Sequence, residues 1–207
     1  MDDLRVIDCE QGSPDWFAAR LGIPTASEFS TVMAKGEGKT RRTYMLKLAG
    51  EVLTGEPMDS YSNGHMERGK EWEAEARERY AFDNDVEPVT VGFLRRPHMG
   101  CSPDSLVGDR GMLEIKTKLA HLQIECLLKD TFPPEHKAQT QGQLLVAKRE
   151  WIDLSVYSRK LPPFVKRAVR DEPYLANMQG EIDRFNDELA EVVERIRRYG
   201  ATEALAA

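Results

Sequence analysis

The sequence predicts an α/β (α+β) fold in which helices flank a small mixed β-sheet and a long helix lies near the C-terminus. Three observations lead to this prediction. The first third of the chain carries helix start signals and apolar residues at helical spacing. The middle of the chain changes to a period of two, which is typical of strands. From Leu175 to Ile196 the apolar residues recur every three or four positions, as an amphipathic helix requires.

Length and composition are those of one globular domain. The chain has 207 residues, of which 41% are hydrophobic and 31% are charged. A chain of this size buries roughly 70% of its unfolded surface on folding and needs no disulfide or metal to hold it. We therefore expect a single domain over residues 1–207, with a helical part at 1–60, a core at 61–160 and a helical part at 161–200.

Composition also excludes several classes of protein. The hydrophobic content is too high for a disordered chain. The sequence has no run of ~18 apolar residues, so it predicts no membrane-spanning helix. The N-terminal segment lacks the features of a secretory signal, so we expect a cytoplasmic protein. A net charge of −6 argues against a protein that coats nucleic acid by bulk charge. Cys9, Cys101 and Cys126 form no C-x-x-C pair, which favours reduced thiols over a zinc ribbon.

Helices are predicted at seven places along the chain. Ser13 followed by Pro14 combines an N-cap with a proline in the first turn. Residues 25–27 open a second helix. Helical spacing of apolar residues then covers the ranges 40–53, 64–82, 119–128, 135–147 and 175–196.

Three segments read as strands. Residues 89–94 alternate along one strand. Residues 112–116 form a strand after the turn at 108–111, and residues 151–157 alternate again. Together these strands predict the small mixed sheet.

Asp104 and the segment 114–116 form an acidic–lysine pattern typical of metal-dependent nucleases. Alternate side chains of a strand share a face, so Glu114 and Lys116 point the same way. If the preceding strand pairs antiparallel, Asp104 approaches Glu114, and two carboxylates with a main-chain carbonyl suit Mg²⁺ or Mn²⁺. Lys116 is then placed to orient or deprotonate a water. Taken alone, the pattern is better explained by an exposed hairpin, because short acid and lysine patterns recur by chance.

Glu73 is predicted to face inward from the helix at 64–82. Its stripe is otherwise apolar or small, with Met66, Gly69, Ala76 and Tyr80. A carboxylate turned toward a core needs a cation or a hydrogen bond. A rotated helix that leaves Glu73 in solvent is the alternative.

Other polar and aromatic residues of the sequence can be explained without a functional role. Three glutamines lie on the helix predicted at 135–147, namely Gln139, Gln141 and Gln143. Contact with a phosphate or another ligand and simple exposure to solvent are equally good interpretations of them. Residues 36–40 imitate the end of a phosphate-binding P-loop, but position 33 is methionine and a helix is predicted before it. The histidines lack zincin spacing. The three tryptophans are predicted to anchor the core.

Five blocks of sequence, in order, resemble the lambda-exonuclease-like viral recombinases, also called the YqaJ type. They are GSPDW at 12–16 with RLGIPTASE at 20–28, GKEWE at 69–73, CSPD at 101–104, LEIK at 113–116 and AQTQ at 138–141. The resemblance covers most of the chain and is far more specific than the acidic–lysine pattern by itself.

This resemblance implies a restriction-endonuclease-like core of the PD-(D/E)xK superfamily and a Mg²⁺-dependent, processive 5′→3′ exonuclease, with Mn²⁺ as a substitute. One strand of linear duplex DNA is degraded to 5′-mononucleotides, which leaves a 3′ overhang for phage recombination by strand annealing. Family members form a ring-shaped homotrimer around DNA and work beside a phage single-strand annealing protein. The ring explains how an acidic protein retains its substrate. The implied location is the cytosol of a bacterial host.

The resemblance also assigns roles around a metal ion. Asp104 and Glu114 match the metal-binding acids, and the Ile115 carbonyl matches a further ligand. Glu73 matches a helix acid that helps to hold a metal. Lys116 matches the lysine that acts on the attacking water.

The remaining matches concern the DNA end. Gln139 matches the helix glutamine near the catalytic site. Arg20, Ser27 and Ser102 match the pocket for the 5′-terminal phosphate, which suits a bidentate guanidinium. Met66 matches an apolar wedge that helps to split the terminal base pair.

Alternatives remain within and outside the enzyme class. A related endonuclease or resolvase uses the same core. A non-catalytic DNA-end-binding module that recruits an annealing protein is a second alternative, although the complete set of Asp104, Glu114 and Lys116 weighs against it. An iron–sulfur nuclease is disfavoured because three scattered cysteines cannot supply four ligands. Glu37 stands where some relatives present a basic residue to the groove. The nearby cations that could compensate for it are Lys39, Arg41 and Arg42.

Overall fold

Helices surround two small sheets in this computed structural model. It describes residues 3–34, 38–58 and 65–199, with the backbone alone for residues 65–70. The helices are α1 (Pro14–Arg20), α2 (Phe29–Val32), α3 (Lys39–Thr54), α4 (His65–Asn84), α5 (Ala120–Lys129), α6 (Lys137–Ala147) and α7 (Glu172–Arg198). The strands are β1 (Arg5–Ile7), β2 (Pro88–Val89), β3 (Phe93–Arg96), β4 (Met99–Cys101), β5 (Ser105–Val107), β6 (Gly111–Thr117), β7 (Trp151–Tyr157) and β8 (Phe164–Val169).

The predicted helix starts at Ser13 and Thr25 are confirmed, and the first of them has a side-chain cap. The Ser13 hydroxyl accepts a hydrogen bond from the Trp16 N–H at 3.2 Å, and Pro14 occupies the first helical position, where no N–H is needed. Thr25 is the N-cap of a 3-10 turn, Ala26–Glu28, that leads into α2. Helix α3 ends at Gly55, which adopts the left-handed conformation.

The larger sheet has the strand order β2-β5-β6-β7-β8. Strands β6 and β7 run parallel, which requires a crossover that α5 and α6 supply, and the other pairs are antiparallel. The mixed sheet flanked by helices is therefore confirmed. Strand β6 also has an antiparallel partner before it, as the acidic–lysine hypothesis required, but the partner is β5, where Ser105 lies opposite Leu113, and not the predicted strand at 89–94.

The prediction of one strand at 89–94 is wrong. Strand β2 joins the larger sheet, whereas β3 joins a separate three-stranded sheet of order β1-β3-β4. The chain changes sheet at Gly92, where a Cβ atom would overlap the backbone of Ile7 and Cys9. Alternation marks extended backbone but does not say which neighbour it pairs with. Strands β1, β4 and β5 were not predicted, since three residues carry too little periodic signal.

The range 161–200 is helical only in part. It begins with β8, and α7 starts after Asp171, whose carboxylate accepts the Tyr174 N–H at 3.2 Å. The predicted apolar stripe of α7 is buried from Leu175 to Leu189 and continues through Val193, whereas Ile196 is 52% exposed. None of the helices described, α7 included, is long and apolar enough to cross a membrane. The division of one domain into parts at 1–60, 61–160 and 161–200 stays a prediction.

The main apolar cluster lies where α6 meets the sheet and the helices α2, α3 and α7. Its fully buried members include Phe29, Met112, Leu144, Ile152 and Phe185. Helix α6 approaches α2 closely at Gly142, where a Cβ atom would overlap the Phe29 ring. This close approach brings the turn at Ala26–Glu28 against the helix that carries the predicted glutamines.

We expect Gly142→Ala to destabilise the fold by about 1–3 kcal/mol, because the added methyl overpacks the contact with Phe29. Urea denaturation followed by circular dichroism measures the change. The matched control is Gly180→Ala on α7, where a Cβ atom meets nothing within 4 Å. That change should stabilise by about 0.5–1 kcal/mol through helix propensity alone. Equal stability of the Gly142 variant and the unmodified protein would contradict the close packing.

Candidate active site

Asp104 lies at the point where the pairing of β5 with β6 ends. The register stops at Ser105 and Leu113, so β6 continues alone on this side beside Asp104. The Asp104 Oδ2 atom accepts the Ile115 N–H at 2.5 Å. Because a strand residue directs its N–H and its C=O to the same side, the Ile115 carbonyl also points toward Asp104.

Glu114 is buried, with 2% of its surface exposed, and is surrounded by donors. The Lys116 Nζ atom lies 2.7 Å from Glu114 Oε1, which confirms that the two side chains share a strand face. Gln139 Nε2 donates to Oε1 and Gln143 Nε2 donates to Oε2, each at 2.6 Å. Gln141 points to the other side of α6 and donates to the Val169 carbonyl at 2.8 Å. The exposed-hairpin interpretation is therefore wrong.

Helix α4 is anchored on the larger sheet through its buried face. Ala76 and Tyr80 are buried against Leu113 and Ile115 of β6. The Tyr80 hydroxyl donates to the Asp153 carboxylate at 2.6 Å. These contacts determine which residues of α4 turn toward Asp104.

Glu73 lies on the side of α4 that faces Asp104, and it is half-buried. It lines a cavity of about 290 Å³ together with Asp104 and Arg77. Its Oε1 atom accepts a hydrogen bond from Arg77 Nη2 at 2.5 Å, and Arg77 Nε donates to the Ser105 hydroxyl at 2.9 Å. The predicted inward orientation is therefore correct for the helix face, although Glu73 borders a cavity rather than the apolar core.

The acidic side chains shift the pKa values of two groups in this site. Burial raises the pKa of Asp104 well above its usual range, and the nearby carboxylates of Glu114 and Glu73 raise it further. Burial lowers the pKa of Lys116, but the Glu114, Asp104 and Glu73 carboxylates outweigh it, so the net pKa is raised. Lys116 is thus held as a cation beside acids that repel one another.

Arg20, Ser27 and Ser102 meet around Trp16 and Thr25. The Arg20 guanidinium stacks on the Trp16 ring, 3.9 Å from the centroid, and donates to the Thr25 hydroxyl at 3.4 Å. Trp16 Nε1 donates to the Ser102 hydroxyl at 2.7 Å. The Thr25 and Ser27 hydroxyls lie 3.2 Å apart. Trp16 and Thr25 therefore position all three residues predicted to bind phosphate.

A single cavity joins this group to the acidic–lysine group. Its volume is about 230 Å³. The predicted site residues that line it are Arg20, Ser27, Ser102, Asp104, Glu114, Lys116 and Gln139. Glu73 lines the neighbouring cavity, and Asp104 borders both. The side chain of Met66 and the whole of Glu37 lie outside the described residues.

Residues 15–150 match the YqaJ-like viral recombinase domain. The chain belongs to this family. The family resemblance of the sequence blocks is therefore confirmed.

Solved structures agree with this membership of the YqaJ-like family. The alkaline exonuclease LHK-Exo from Laribacter hongkongensis is 35% identical with a TM-score of 0.83, over 92% of this chain and 99% of that one. The structure of LHK-Exo in complex with dAMP is 36% identical with a TM-score of 0.84, at the same coverage. A phage-related exonuclease from Haemophilus somnus 129PT has a TM-score of 0.62 at 12% identity, over 84% and 96%, and shows the fold alone. A search of curated proteins found no match.

Sequence reasoning missed several side chains of this YqaJ-family site. Trp16 was predicted to anchor the core, but it is half-buried and lines the cavity. It lies four residues before Arg20 on one helix, and this spacing was a usable signal. Gln143 shares with Gln139 and Gln141 the prediction of a possible ligand contact, but the sequence did not show that Gln143 lines this cavity and Gln141 does not. Trp72 is also half-buried, whereas Trp151 packs against the core cluster that contains Tyr80 and Leu113. The prediction of a core tryptophan is therefore confirmed for Trp151 but not for Trp16 and Trp72.

The oxygen atoms at this site fit a hard divalent cation. Asp104, Glu114 and the Ile115 carbonyl offer ligands of the type that Mg²⁺ prefers, and the repulsion that raises the pKa of Asp104 is relieved by a cation. The described residues contain no group of three acidic, histidine or cysteine side chains already gathered for a metal. Glu114 is bound by Lys116 and the glutamines, and Glu73 is bound by Arg77. To join such a set of ligands, Glu73 would have to leave Arg77.

Proposed function

We propose that this YqaJ-family protein is a Mg²⁺-dependent, processive 5′→3′ exonuclease of linear double-stranded DNA. It releases 5′-mononucleotides from one strand and leaves a 3′ overhang for phage-type recombination by strand annealing. One observation carries the proposal: the Arg20 group and the acidic–lysine group line the same cavity. The similar protein LHK-Exo is an alkaline exonuclease with a structure in complex with dAMP, which supports the exonuclease part of the proposal.

The Arg20 end of the cavity is suited to a terminal phosphate. The guanidinium is fixed against the Trp16 ring, so little side-chain freedom is lost when it binds an anion in bidentate fashion. The hydroxyls of Ser27 and Ser102 supply neutral donors. Holding the 5′ phosphate here places the adjoining phosphodiester beside Glu114 and Lys116, and this position accounts for release of single nucleotides.

The acidic–lysine end of the cavity performs the hydrolysis. Asp104, Glu114 and the Ile115 carbonyl would hold Mg²⁺, with Glu73 as a further ligand after it separates from Arg77. The ion, when bound, stabilises the charge that develops on the phosphoryl group and the leaving oxygen. Lys116, held near Glu114 Oε1 as a cation, orients the attacking water and stabilises negative charge on a non-bridging oxygen.

A cleavage assay separates this function from its alternatives. Linear 5′-phosphorylated duplex with Mg²⁺ should yield mononucleotides and a growing 3′ overhang, and a chelator should stop the reaction. Release of oligonucleotides from circular DNA would instead indicate the related endonuclease or resolvase. Ends that are bound but never cut by the unmodified protein would indicate the non-catalytic recruiting module.

The proposal includes a homotrimeric ring that encloses the duplex and a phage single-strand annealing protein as partner, in the cytosol of a bacterial host. A ring accounts for retention of DNA by a chain whose net charge is −6. Light scattering should then give three times the 23.5 kDa of one chain. A monomeric mass under conditions of full activity would overturn the ring.

We expect Arg20→Ala to lower kcat/KM on 5′-phosphorylated ends by about 10- to 100-fold, because charge-assisted hydrogen bonds to the phosphate are lost. Activity on 5′-hydroxyl ends should change much less. The control is Arg184→Ala on the exposed side of α7, which removes a guanidinium paired with Glu181 at 3.1 Å. An Arg20 variant that keeps the full preference for phosphorylated ends would show that the pocket binds something else.

A further inference from the structure

Helix α6 supplies two amides to Glu114, and the second of them has no role assigned so far. Gln139 and Gln143 are four residues apart, so they lie on one face of the helix. Each donates to a different oxygen of the Glu114 carboxylate at 2.6 Å. The two amides therefore hold the plane of the carboxylate from both ends.

The two oxygens of Glu114 are held unequally. Oε1 is shared by Gln139 and Lys116, whereas Gln143 is the donor that reaches Oε2 within the described part of the chain. If Gln143 is removed, Oε2 loses the donor that it has among the described residues, and the carboxylate is then oriented by its contacts at Oε1. Gln139 donates to Oε1, so in this arrangement the Oε2 contact belongs to Gln143.

The orientation of the Gln143 amide follows from the chemistry of its partner. An ionised carboxylate only accepts hydrogen bonds, so the amide nitrogen must face it. The amide oxygen is consequently left buried, and it has no hydrogen-bond partner among the residues that the structure describes. Gln143 is 1% exposed, and an apolar side chain would fill such a position without a polar group to satisfy.

We propose that Gln143 is a positioning residue that orients Glu114 for the divalent cation, an inference that rests on the proposed function. Gln143 donates its hydrogen bond to Glu114, which is a predicted metal ligand. Gln143 itself is not one of the predicted metal ligands. Partners that orient metal ligands in this way commonly change metal affinity or activity by about 10- to 100-fold when they are replaced. Loss of Gln143 should therefore weaken Mg²⁺ binding while the chemical step survives at saturating Mg²⁺.

The test compares Gln143→Met with Gln141→Met. Gln141 is the same residue type on the same helix and is similarly buried, but it bonds to Val169 and Asp171 instead of Glu114. We expect Gln143→Met to raise the half-saturating Mg²⁺ concentration about 10- to 100-fold, with kcat at saturating Mg²⁺ within a few-fold of the unmodified protein. Mg²⁺ should also raise the melting temperature of the protein without DNA. The Mg²⁺ concentration that gives half of this rise should increase by the same factor in Gln143→Met. Gln141→Met should change neither Mg²⁺ dependence.

The outcomes separate this inference from the proposed function. If the unmodified protein cleaves DNA with Mg²⁺ but both glutamine variants keep its Mg²⁺ dependence, the positioning role is wrong and the function stands. A Gln143 variant that loses kcat at every Mg²⁺ concentration also overturns the positioning role. If the unmodified protein neither cleaves nor responds to Mg²⁺, the function fails. Should Gln143→Met not fold, Gln143→Asn, which is one methylene too short to keep the contact, takes its place with the same expectations.

Discussion

Replacing Lys116 by alanine should lower the cleavage rate by about 10²- to 10⁴-fold, the range for loss of a positioned proton-transfer or water-orienting group. Binding of DNA ends should persist, because Arg20, Ser27 and Ser102 at the other end of the cavity are unchanged. The fold should also persist, since Glu114 keeps its hydrogen bonds from Gln139 and Gln143. Single-turnover cleavage and binding to a 5′-phosphorylated duplex measure the two effects separately.

Lys118→Ala is the matched control for this prediction. Lys118 follows β6 directly and pairs with Glu135 at 3.4 Å, so its loss removes an equal charge two residues from Lys116. Its cleavage rate should stay within a few-fold of the unmodified protein. If the Lys116 variant cleaves as fast as the Lys118 variant, the acidic–lysine group does not carry out the reaction.

Replacing Asp104 by asparagine should abolish Mg²⁺-dependent cleavage and yet stabilise the metal-free protein. The change removes a predicted ligand, and it also removes a charge that burial and the Glu114 and Glu73 carboxylates disfavour. We expect a gain on the order of 1 kcal/mol, or about 2–4 °C in melting temperature for a chain of this size. The melting temperature of the variant should no longer rise with Mg²⁺, because that rise requires binding to the folded state.

The pH dependence of stability gives a second check on Asp104. The folded protein holds the Asp104 proton more tightly than the unfolded chain does, since the pKa is raised above its ordinary value of 3.8. Without metal, the free energy of unfolding should therefore fall as the pH rises from 3.8 through the pKa that Asp104 has in the folded protein. Asp104→Asn should remove that fall, whereas Asp109→Asn in the exposed turn of the same hairpin should not. A metal-free Asp104 variant less stable than the unmodified protein would show that the carboxylates do not oppose one another.

Much of the fold could be predicted because its signals are local. The N-cap at Ser13, the strand at β6 and the buried side of α7 each depend on residues a few positions apart. The strand pairing of the segment 88–96 could not be predicted in this way. Its division between two sheets depends on the close approach of Gly92 to the distant segment at Ile7 and Cys9.

For the candidate site, too, some features could be predicted from local sequence and others depend on packing. The residue types, their order and their spacing were sufficient to select Asp104, Glu114 and Lys116 and to recognise the family. The sequence does not distinguish Gln143, which holds Glu114, from Gln141, which contacts the start of α7. That choice depends on how α6 is rotated against β6, and Gln143 and Glu114 are 29 positions apart in the chain.

The sequence by itself thus determined the helices, the central strands, the family and the chemical groups available for reaction. Only the tertiary structure decided that the Arg20 group and the acidic–lysine group share one cavity, and that Glu73 is paired with Arg77 beside it. The physical reason is one of range. Periodicity and capping act over a turn or two of backbone, whereas a cavity is defined by the packing of α1, α6 and β6, which are far apart in the chain.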